Sequence, residues 1–299
     1  MLLLTIAYDS GIIDIIEDVS EMKEYFASKN ILIGLSESKS ENTHFLKLYC
    51  EADDINEKII NMFNIYISNI LYNVVVEEYC KRDLQSFIAD TYFFLKYDEM
   101  KDIKEISARS LKDEGLFMDE NLVFCMNKKN AILKKIINCI EENKEINIKG
   151  FITFRMKELR KDLECIIDKI VENYMVEKEY NEFIKLLKYF VEIQESKIDE
   201  VNIIVKGNGE YLIQDENGND ILEQLFSELS EARYTGTVSV EDMLISGLIT
   251  NAPQRVIIHC EENCDNKELL DTIKNVFLDR VTFCSSCKIC EGIKNTLKV

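Results

Sequence analysis

Residues 255–284 read RVIIHCEENCDNKELLDTIKNVFLDRVTFC, and this stretch sets the topology of the C-terminal part of the chain. Apolar residues fill both of its ends, which predicts strands over Arg255–Cys260 and Val281–Cys284. Between these strands, apolar residues recur every three or four positions, which predicts a helix over Lys267–Leu278. The strands of a strand–helix–strand unit are parallel when they share a sheet, so both would end at the same sheet edge.

Cysteine and histidine residues gather at the ends of these two strands. One group closes the first strand and the loop after it, and the other follows the second strand with C-x-x-C-x-x-C spacing. Together the candidate ligands are His259, Cys260, Cys264, Cys284, Cys287 and Cys290. Because parallel strands would bring both groups to one edge, we expect these thiols and the imidazole to converge. Such ligands are suited to zinc or an iron–sulfur cluster.

Reduced thiols without a metal are the competing interpretation. Bacterial ferredoxins carry a fourth cysteine where this chain has Lys294. A structural zinc site usually shows two separated ligand pairs, and His-Cys-x-x-x-Cys is an uncommon first group. Cysteine also packs as a small apolar residue, and Cys260 and Cys284 stand at strand ends, where such packing is expected. Both interpretations stay open, and the sequence assigns no cofactor.

A hairpin precedes this unit. Val201–Lys206 and Glu210–Gln214 have strand patterns and flank Gly207-Asn208-Gly209. Glycine and asparagine accept the positive φ of tight hairpin turns, so the pattern predicts two antiparallel strands. The hairpin and the two parallel strands would form a mixed C-terminal sheet.

The middle of the chain is predicted to be helical. Asn56 to about Arg109 is mostly helix by its apolar periodicity, and Lys149–Gln194 carries the longest helical pattern. The apolar stripe of Lys149–Gln194 changes phase between Tyr174 and Tyr180, which predicts two helices or one kinked helix.

The N-terminal part is predicted to be a small α/β unit. The polar run SESKSENT before His44 is predicted to be a loop between two of its strands. The predicted elements are a strand over Leu2–Ala7, a helix over Ile12–Ser28, and strands over Ile31–Leu35 and His44–Cys50. We therefore predict an α+β fold with an N-terminal small α/β unit, long central helices and a C-terminal mixed β-sheet with a strand–helix–strand unit. The predicted domains are 1–115 and 128–299.

The net charge of −19 disfavours nucleic acid as a partner. Nucleic-acid affinity depends on clustered Lys and Arg that displace counterions, and an acidic protein repels phosphate and anionic membrane surfaces. No stretch is predicted to span a membrane: the apolar run Ile65–Val76 is short and interrupted by polar residues. The opening MLLLTIAYDS lacks the basic region and cleavage site of an export signal. We expect a cytoplasmic protein with reduced cysteines.

Three segments resemble the YtxC-like family of sporulation proteins. They are GFITFRMKELRKDLECIIDKIVENYMVEKEYNEFIKLLKYFVEIQESKIDEVNII, SVEDMLISGLITNAPQRVIIHC and VTFCSSCKIC. The resemblance covers roughly residues 149–290. It implies a role in endospore-forming bacteria and implies no catalytic residues.

Three functions fit these patterns. The first is a non-enzymatic cytosolic factor that acts in sporulation through contacts with protein partners, using long amphipathic helices. The second is a metal-binding or thiol-redox protein that uses the C-terminal cysteines. The third is an enzyme whose site lies at the carboxyl edge of the C-terminal sheet, where open α/β sheets bind ligands. The sequence contains no recognisable catalytic constellation and favours the non-enzymatic functions.

Overall fold

The computed structural model describes residues 1–9, 15–51, 55–112, 120–226 and 239–296. The chain forms two compact units, Met1–Met175 and Val176–Val299. The α+β fold class is confirmed, with long helices and two small mixed sheets. Part of the predicted domain boundary, residues 115–119, lies outside the described residues, and the division into 1–115 and 128–299 stays a prediction.

The first unit contains a four-stranded sheet in the order β2-β3-β1-β4. Its strands are β1 (Leu2–Asp9), β2 (Ile33–Ser40), β3 (Thr43–Cys50) and β4 (Glu145–Asn147). β3 is antiparallel to β1 and β2, and β4 is parallel to β1.

The predicted loop SESKSENT is wrong for most of its length. β2 continues to Ser40 and pairs with β3 up to Thr43, so the turn is confined to Glu41 and Asn42. β2 is an edge strand whose last side chains are exposed, and its backbone can pair without burying them. A polar sequence is therefore compatible with a strand at this position.

Six α-helices among the described residues accompany the first sheet. They are α1 (Ile16–Ser28), α2 (Glu57–Arg82), α3 (Leu84–Thr91), α4 (Tyr97–Leu111), α5 (Glu120–Glu142) and α6 (Ile148–Ile193), of which α6 continues into the second unit. Their apolar faces and those of the strands form one core, with Leu4, Phe26, Leu71 and Leu163 among its fully buried members. Residues 12–14 of the predicted first helix lie outside the described residues.

Helix α2 contains the apolar run Ile65–Val76. An 18-residue window of this 26-residue helix has a mean hydropathy of 1.5, so by length and composition alone the helix could cross a membrane. However, 56% of that apolar window is buried inside the protein, where Ile67, Leu71 and Val75 belong to the core. Packing within the first unit therefore accounts for the composition of α2.

Helix α6 is a single helix of 46 residues, whereas the sequence predicted two helices or a kink. Most of its apolar residues up to Val171, Leu159 and Leu163 among them, belong to the core of the first unit. Ile184, Leu187 and Val191 belong to the core of the second. The change of phase between Tyr174 and Tyr180 therefore marks the passage from one core to the other.

The second unit contains a four-stranded sheet in the order β6-β5-β7-β8. Its strands are β5 (Glu200–Val205), β6 (Tyr211–Gln214), β7 (Arg255–His259) and β8 (Val281–Cys284). β5 and β6 form the predicted antiparallel hairpin, with Gly209 at φ 81° in its turn. β7 is parallel to both β5 and β8, as the strand–helix–strand pattern predicted.

Four further α-helices lie in the part of the second unit that the structure describes. They are α7 (Leu222–Leu225), α8 (Val240–Asn251), α9 (Lys267–Phe277) and α10 (Lys288–Thr296). Ser239 caps α8, because its hydroxyl accepts a hydrogen bond from the backbone N–H of Asp242. On one face of the sheet, the side chains of Val201, Ile203, Val256 and Ile258 pack into the apolar core. Because strand side chains alternate, Asn202, His259 and Cys284 lie on the other face.

Candidate metal centre

The parallel pairing of β7 and β8 brings the first two candidate ligands together. His259 is the last residue of β7 and stands directly opposite Cys284, the last residue of β8. Neighbouring strands are separated by about 4.8 Å. The imidazole and the thiol therefore start from adjacent positions at the carboxyl edge of the sheet.

The other two ligands lie at the start of helix α10. Cys287 lies immediately before this helix, and Cys290 lies in its first turn. Because they are three residues apart, both side chains lie on the same face of the start of the helix. Cys290 is fully buried and its thiol donates a hydrogen bond to the carbonyl oxygen of Cys284 at 3.2 Å. This contact folds the start of α10 back over the strand ends.

Four ligand atoms meet at this point: one imidazole nitrogen and three sulfurs. His259 Nδ1 lies 3.3 Å from Cys287 Sγ and 3.6 Å from Cys290 Sγ. Cys290 Sγ lies 3.6 Å from Cys287 Sγ and 4.0 Å from Cys284 Sγ. All four atoms lie within 4.8 Å of one another.

These separations match the edges of a zinc tetrahedron. With Zn–S bonds of about 2.3 Å and a Zn–N bond of about 2.0 Å, tetrahedral angles separate two sulfurs by about 3.8 Å and sulfur from nitrogen by about 3.5 Å. The sulfur–sulfur distances of 3.6 and 4.0 Å and the sulfur–nitrogen distances of 3.3 and 3.6 Å lie on either side of those values.

Asn202 on β5 orients the imidazole. Its Nδ2 donates to the Glu200 carboxylate at 2.9 Å and to the carbonyl oxygen of Asp215 at 3.2 Å. Its Oδ1 consequently points towards His259 and lies 3.0 Å from Nε2. Since Oδ1 can only accept, Nε2 carries the proton and Nδ1 presents its lone pair to the three thiols. Metal-bound histidines are held in this way by an acceptor on their other nitrogen.

Burial and hydrogen bonds shift the pKa values of three of the four candidate ligands. Burial lowers the pKa of His259, although Glu200 acts in the opposite direction, so the imidazole is neutral at neutral pH. Burial together with hydrogen bonds to the thiols of Cys287 and Cys260 raises the pKa of Cys290 to about 12. Burial also acts to raise the pKa of Cys287, but hydrogen bonds from neighbouring backbone and thiol groups outweigh it and lower that pKa.

The remaining two predicted ligands have other surroundings. Cys260 is buried beside Cys290 in a left-handed backbone conformation, with φ 57°, and lies outside the group of four. Cys264 lies within the apolar core, where its thiol donates to the carbonyl oxygen of Asn266 at 3.3 Å and contacts the Tyr211 hydroxyl at 3.5 Å. The structure thus brings together His259, Cys284, Cys287 and Cys290 from the six.

Comparison with known proteins gives the family. The YtxC-like family matches residues 65–282, which is more than half of the chain. The chain belongs to the YtxC-like family. The uncharacterized protein YtxC of Bacillus subtilis (strain 168) is 27% identical over 217 residues, covering 68% of this chain and 71% of that protein. No solved structure matches.

The family match includes His259 but ends before Cys284. Membership of the family therefore gives no information about Cys284, Cys287 and Cys290. Asn202 lies inside the matched region, and the sequence analysis did not predict its contact with His259 in this YtxC-like chain. The sequence does mark this residue, because its polar side chain interrupts the otherwise apolar run VNIIV of a predicted strand. An amide in such a place needs hydrogen-bond partners, and one of them is the candidate ligand.

A separate cavity of about 540 Å³ lies at the opposite end of the second sheet of this YtxC-like chain. It is lined by residues that begin the parallel strands, including Glu200, Arg255, Arg280 and Thr282. Arg255 pairs with Glu200 at 3.3 Å, and Arg280 donates to the carbonyl oxygens of Ala252 and Pro253. This cavity is not at the carboxyl edge, where the enzymatic interpretation expected a ligand.

Proposed function

We propose that this YtxC-like protein binds one Zn²⁺ ion through His259 Nδ1 and the thiolates of Cys284, Cys287 and Cys290. The observation that supports it is that four of the six ligand–ligand distances match the edges of a tetrahedron around a single ion, while all four atoms lie within 4.8 Å of one another. The Asn202 contact adds support, because it holds the imidazole in the tautomer that coordination at Nδ1 requires.

The donor set favours zinc over an iron–sulfur cluster. In a cluster, the cysteine sulfurs bind different iron atoms and are spread around the cluster. Here the sulfurs approach one another to 3.6 and 4.0 Å, which suits one small ion bound by all of them. One imidazole with three thiolates is also a usual zinc ligand set.

The proposed role of the ion is structural. Four protein ligands complete a tetrahedron and leave no position for a substrate or an activated water. Two of the ligands, His259 and Cys290, are buried. The ion would hold the ends of β7 and β8 and the start of α10 together.

Metal analysis of the full chain tests this proposal. Protein expressed with added zinc and purified without chelators is analysed by inductively coupled plasma mass spectrometry. We expect about one zinc per chain for the wild type, no loss in Cys264→Ser, and a large loss in Cys290→Ser. Cys264 is the matched control, because it is a buried thiol of the same unit that lies outside the ligand group.

Wild-type protein with no bound metal and ten freely titratable thiols would refute the zinc proposal, whatever the variants do. It would favour the interpretation of these residues as reduced thiols. Iron with the absorption of a sulfide-bridged cluster would contradict the single-ion geometry. All ten cysteines lie within the described residues and none forms a disulfide bond, so each is available to a thiol reagent after unfolding.

We further propose that this zinc-stabilised protein acts in the cytosol during spore formation through contacts with protein partners. This role is supported by the resemblance to a sporulation family, by ten cysteines that form no disulfide bond and by the exposed apolar residues on α6. The test is deletion of the gene, a spore count, and capture of partners by a tagged copy from sporulating cells. A normal spore count together with no partner above background would refute it.

A further inference from the structure

The C-terminal half of α6 carries a stripe of exposed apolar side chains. Val176, Phe183, Leu186, Phe190 and Ile193 are 61%, 52%, 52%, 40% and 58% exposed. Their spacings of seven, three, four and three residues are those of alternating a and d positions in a heptad repeat. We call these five residues the α6 seam.

The seam is distinct from the face of α6 that packs inside the second unit. That inner face consists of Ile184, Leu187 and Val191, which belong to the apolar core. The two sets are about a quarter-turn apart around the helix, at about 100° per residue. The seam is therefore an apolar surface of α6 that the second unit leaves exposed. Exposed apolar patches of this kind are typical of interaction surfaces.

We propose that the α6 seam pairs with the same seam of a second copy of this chain, with the two helices antiparallel. This inference is independent of the zinc site. In this pairing, Phe183 packs against Leu186 of the second copy and Leu186 against Phe183. The outer layers place Val176 against Ile193 and Ile193 against Val176. One two-fold axis near the middle of the seam generates all of these contacts, as an isologous dimer requires.

The position of Glu179 favours the antiparallel direction. It occupies the remaining heptad d position of the seam and is exposed. Parallel helices in register would place the two Glu179 carboxylates against each other within the interface, where like charges are destabilising. Antiparallel pairing separates these carboxylates towards opposite ends and places each beside Phe190, with its carboxylate free to reach solvent.

The area of the seam is sufficient for a specific dimer. Large apolar side chains have accessible areas of roughly 150–200 Å², so five of them at about half exposure present on the order of 500 Å² per copy. Two copies would bury about 1,000 Å² from these side chains alone, which is about the minimum total area expected of a biological interface. The neighbouring Tyr189, which is 58% exposed, would add to this area.

Sedimentation equilibrium of the full-length protein over a concentration series tests the pairing. We expect the wild type to dimerise, and the double variant Phe183→Lys and Leu186→Lys to raise the dimer dissociation constant by about 100-fold or more. The matched control is Asn181→Lys with Glu192→Gln, which changes the net charge equally on another face of the same helix. The control variant is expected to dimerise like the wild type.

The direction of the helices is tested by placing a photoreactive phenylalanine analogue at position 183 in a mixture of light and ¹⁵N-labelled chains. Antiparallel pairing predicts a cross-link from this position to Leu186 of the other isotopic form, and a cross-link to position 183 would refute it. A wild type that stays monomeric at about 100 μM would overturn the dimer itself and would indicate that another segment or another protein covers the seam. A double variant that dimerises like the wild type would equally overturn it.

Discussion

Replacing Asn202 by alanine should weaken zinc binding without removing any ligand. Asn202 and His259 are both buried, and their hydrogen bond of 3.0 Å satisfies the Nε2–H group. In the variant this buried donor loses its partner, at a cost of about 1–3 kcal/mol. Zinc affinity falls because the imidazole of the metal-free variant is no longer held in the tautomer and orientation that coordination requires, and the loss of such an outer-shell partner typically raises a metal dissociation constant about 10- to 100-fold.

The measurement is competition for zinc between the protein and a chromogenic chelator of known affinity. Cobalt substitution gives a second readout, because the absorption bands of tetrahedral Co²⁺ report the ligand set. The variant should retain the cobalt bands of three thiolates and one imidazole while binding the ion more weakly. That combination separates a positioning residue from a ligand, whose removal would change the spectrum.

Asn263→Ala is the matched control for this experiment. Asn263 lies in the same unit, and its side chain donates a hydrogen bond of 3.0 Å to the carbonyl oxygen of Val205 and not to a residue of the ligand group. Its replacement should leave zinc affinity within about threefold of the wild type. Equal losses in both variants would point to general destabilisation, and an unchanged affinity in Asn202→Ala would refute the positioning role.

Two further predictions concern stability. Asp162→Asn should lower the free energy of unfolding by about 1 kcal/mol at pH 7, because the Asp162 carboxylate accepts a hydrogen bond of 2.6 Å from Lys135. Gly247→Ala should lower it by about 1–3 kcal/mol, because the added Cβ would lie 2.9 Å from Leu225 Cγ and 3.0 Å from Leu225 O in a packed interior. Urea unfolding of the full chain measures both, with Gly292→Ala as control, since an added Cβ there meets no atom within 4 Å.

The effect of Asp162→Asn should depend on pH. Burial acts to raise the pKa of Asp162, but its hydrogen bonds and ion pairs with Lys135 and Lys128 outweigh burial and hold the pKa below its ordinary value. A lowered pKa means that the carboxylate stabilises the folded state fully above the unfolded pKa, about 4. This contribution is lost as the pH falls through the folded pKa, so an undiminished difference at pH 2 would contradict the assignment. A Gly247→Ala variant as stable as Gly292→Ala would contradict the packing argument.

The sequence predicted the elements that depend on local pattern. The strands Arg255–His259 and Val281–Cys284 follow from apolar runs, and their parallel direction follows from the intervening helix. The structure then brings His259 and Cys284 into register at one edge. The hairpin around Gly209 was likewise predictable, because its turn needs a residue that accepts a positive φ.

What the sequence did not predict depends on tertiary surroundings. The polar strand β2 is compatible with its sequence only because β3 pairs with its backbone at the sheet edge. Cys264 is close to the ligand group in sequence and was therefore predicted to be a ligand, but its thiol lies in the apolar core. Helix α10, which places Cys290 beside Cys287, begins within the cysteine run itself, where the spacing suggested ligands rather than a helix.

The convergence of His259 and Cys290 at one sheet edge has a consequence for how this region responds to its chemical environment. An ion bound there would close a loop of about 30 residues, and a covalent link across a loop of that length is worth about 3–4 kcal/mol through the entropy of the denatured chain. A disulfide in the cytosol would be reduced by glutathione, whereas a zinc cross-link persists under those conditions. The fraction of chains with an ordered C-terminal region would then follow the concentration of free zinc in the cell.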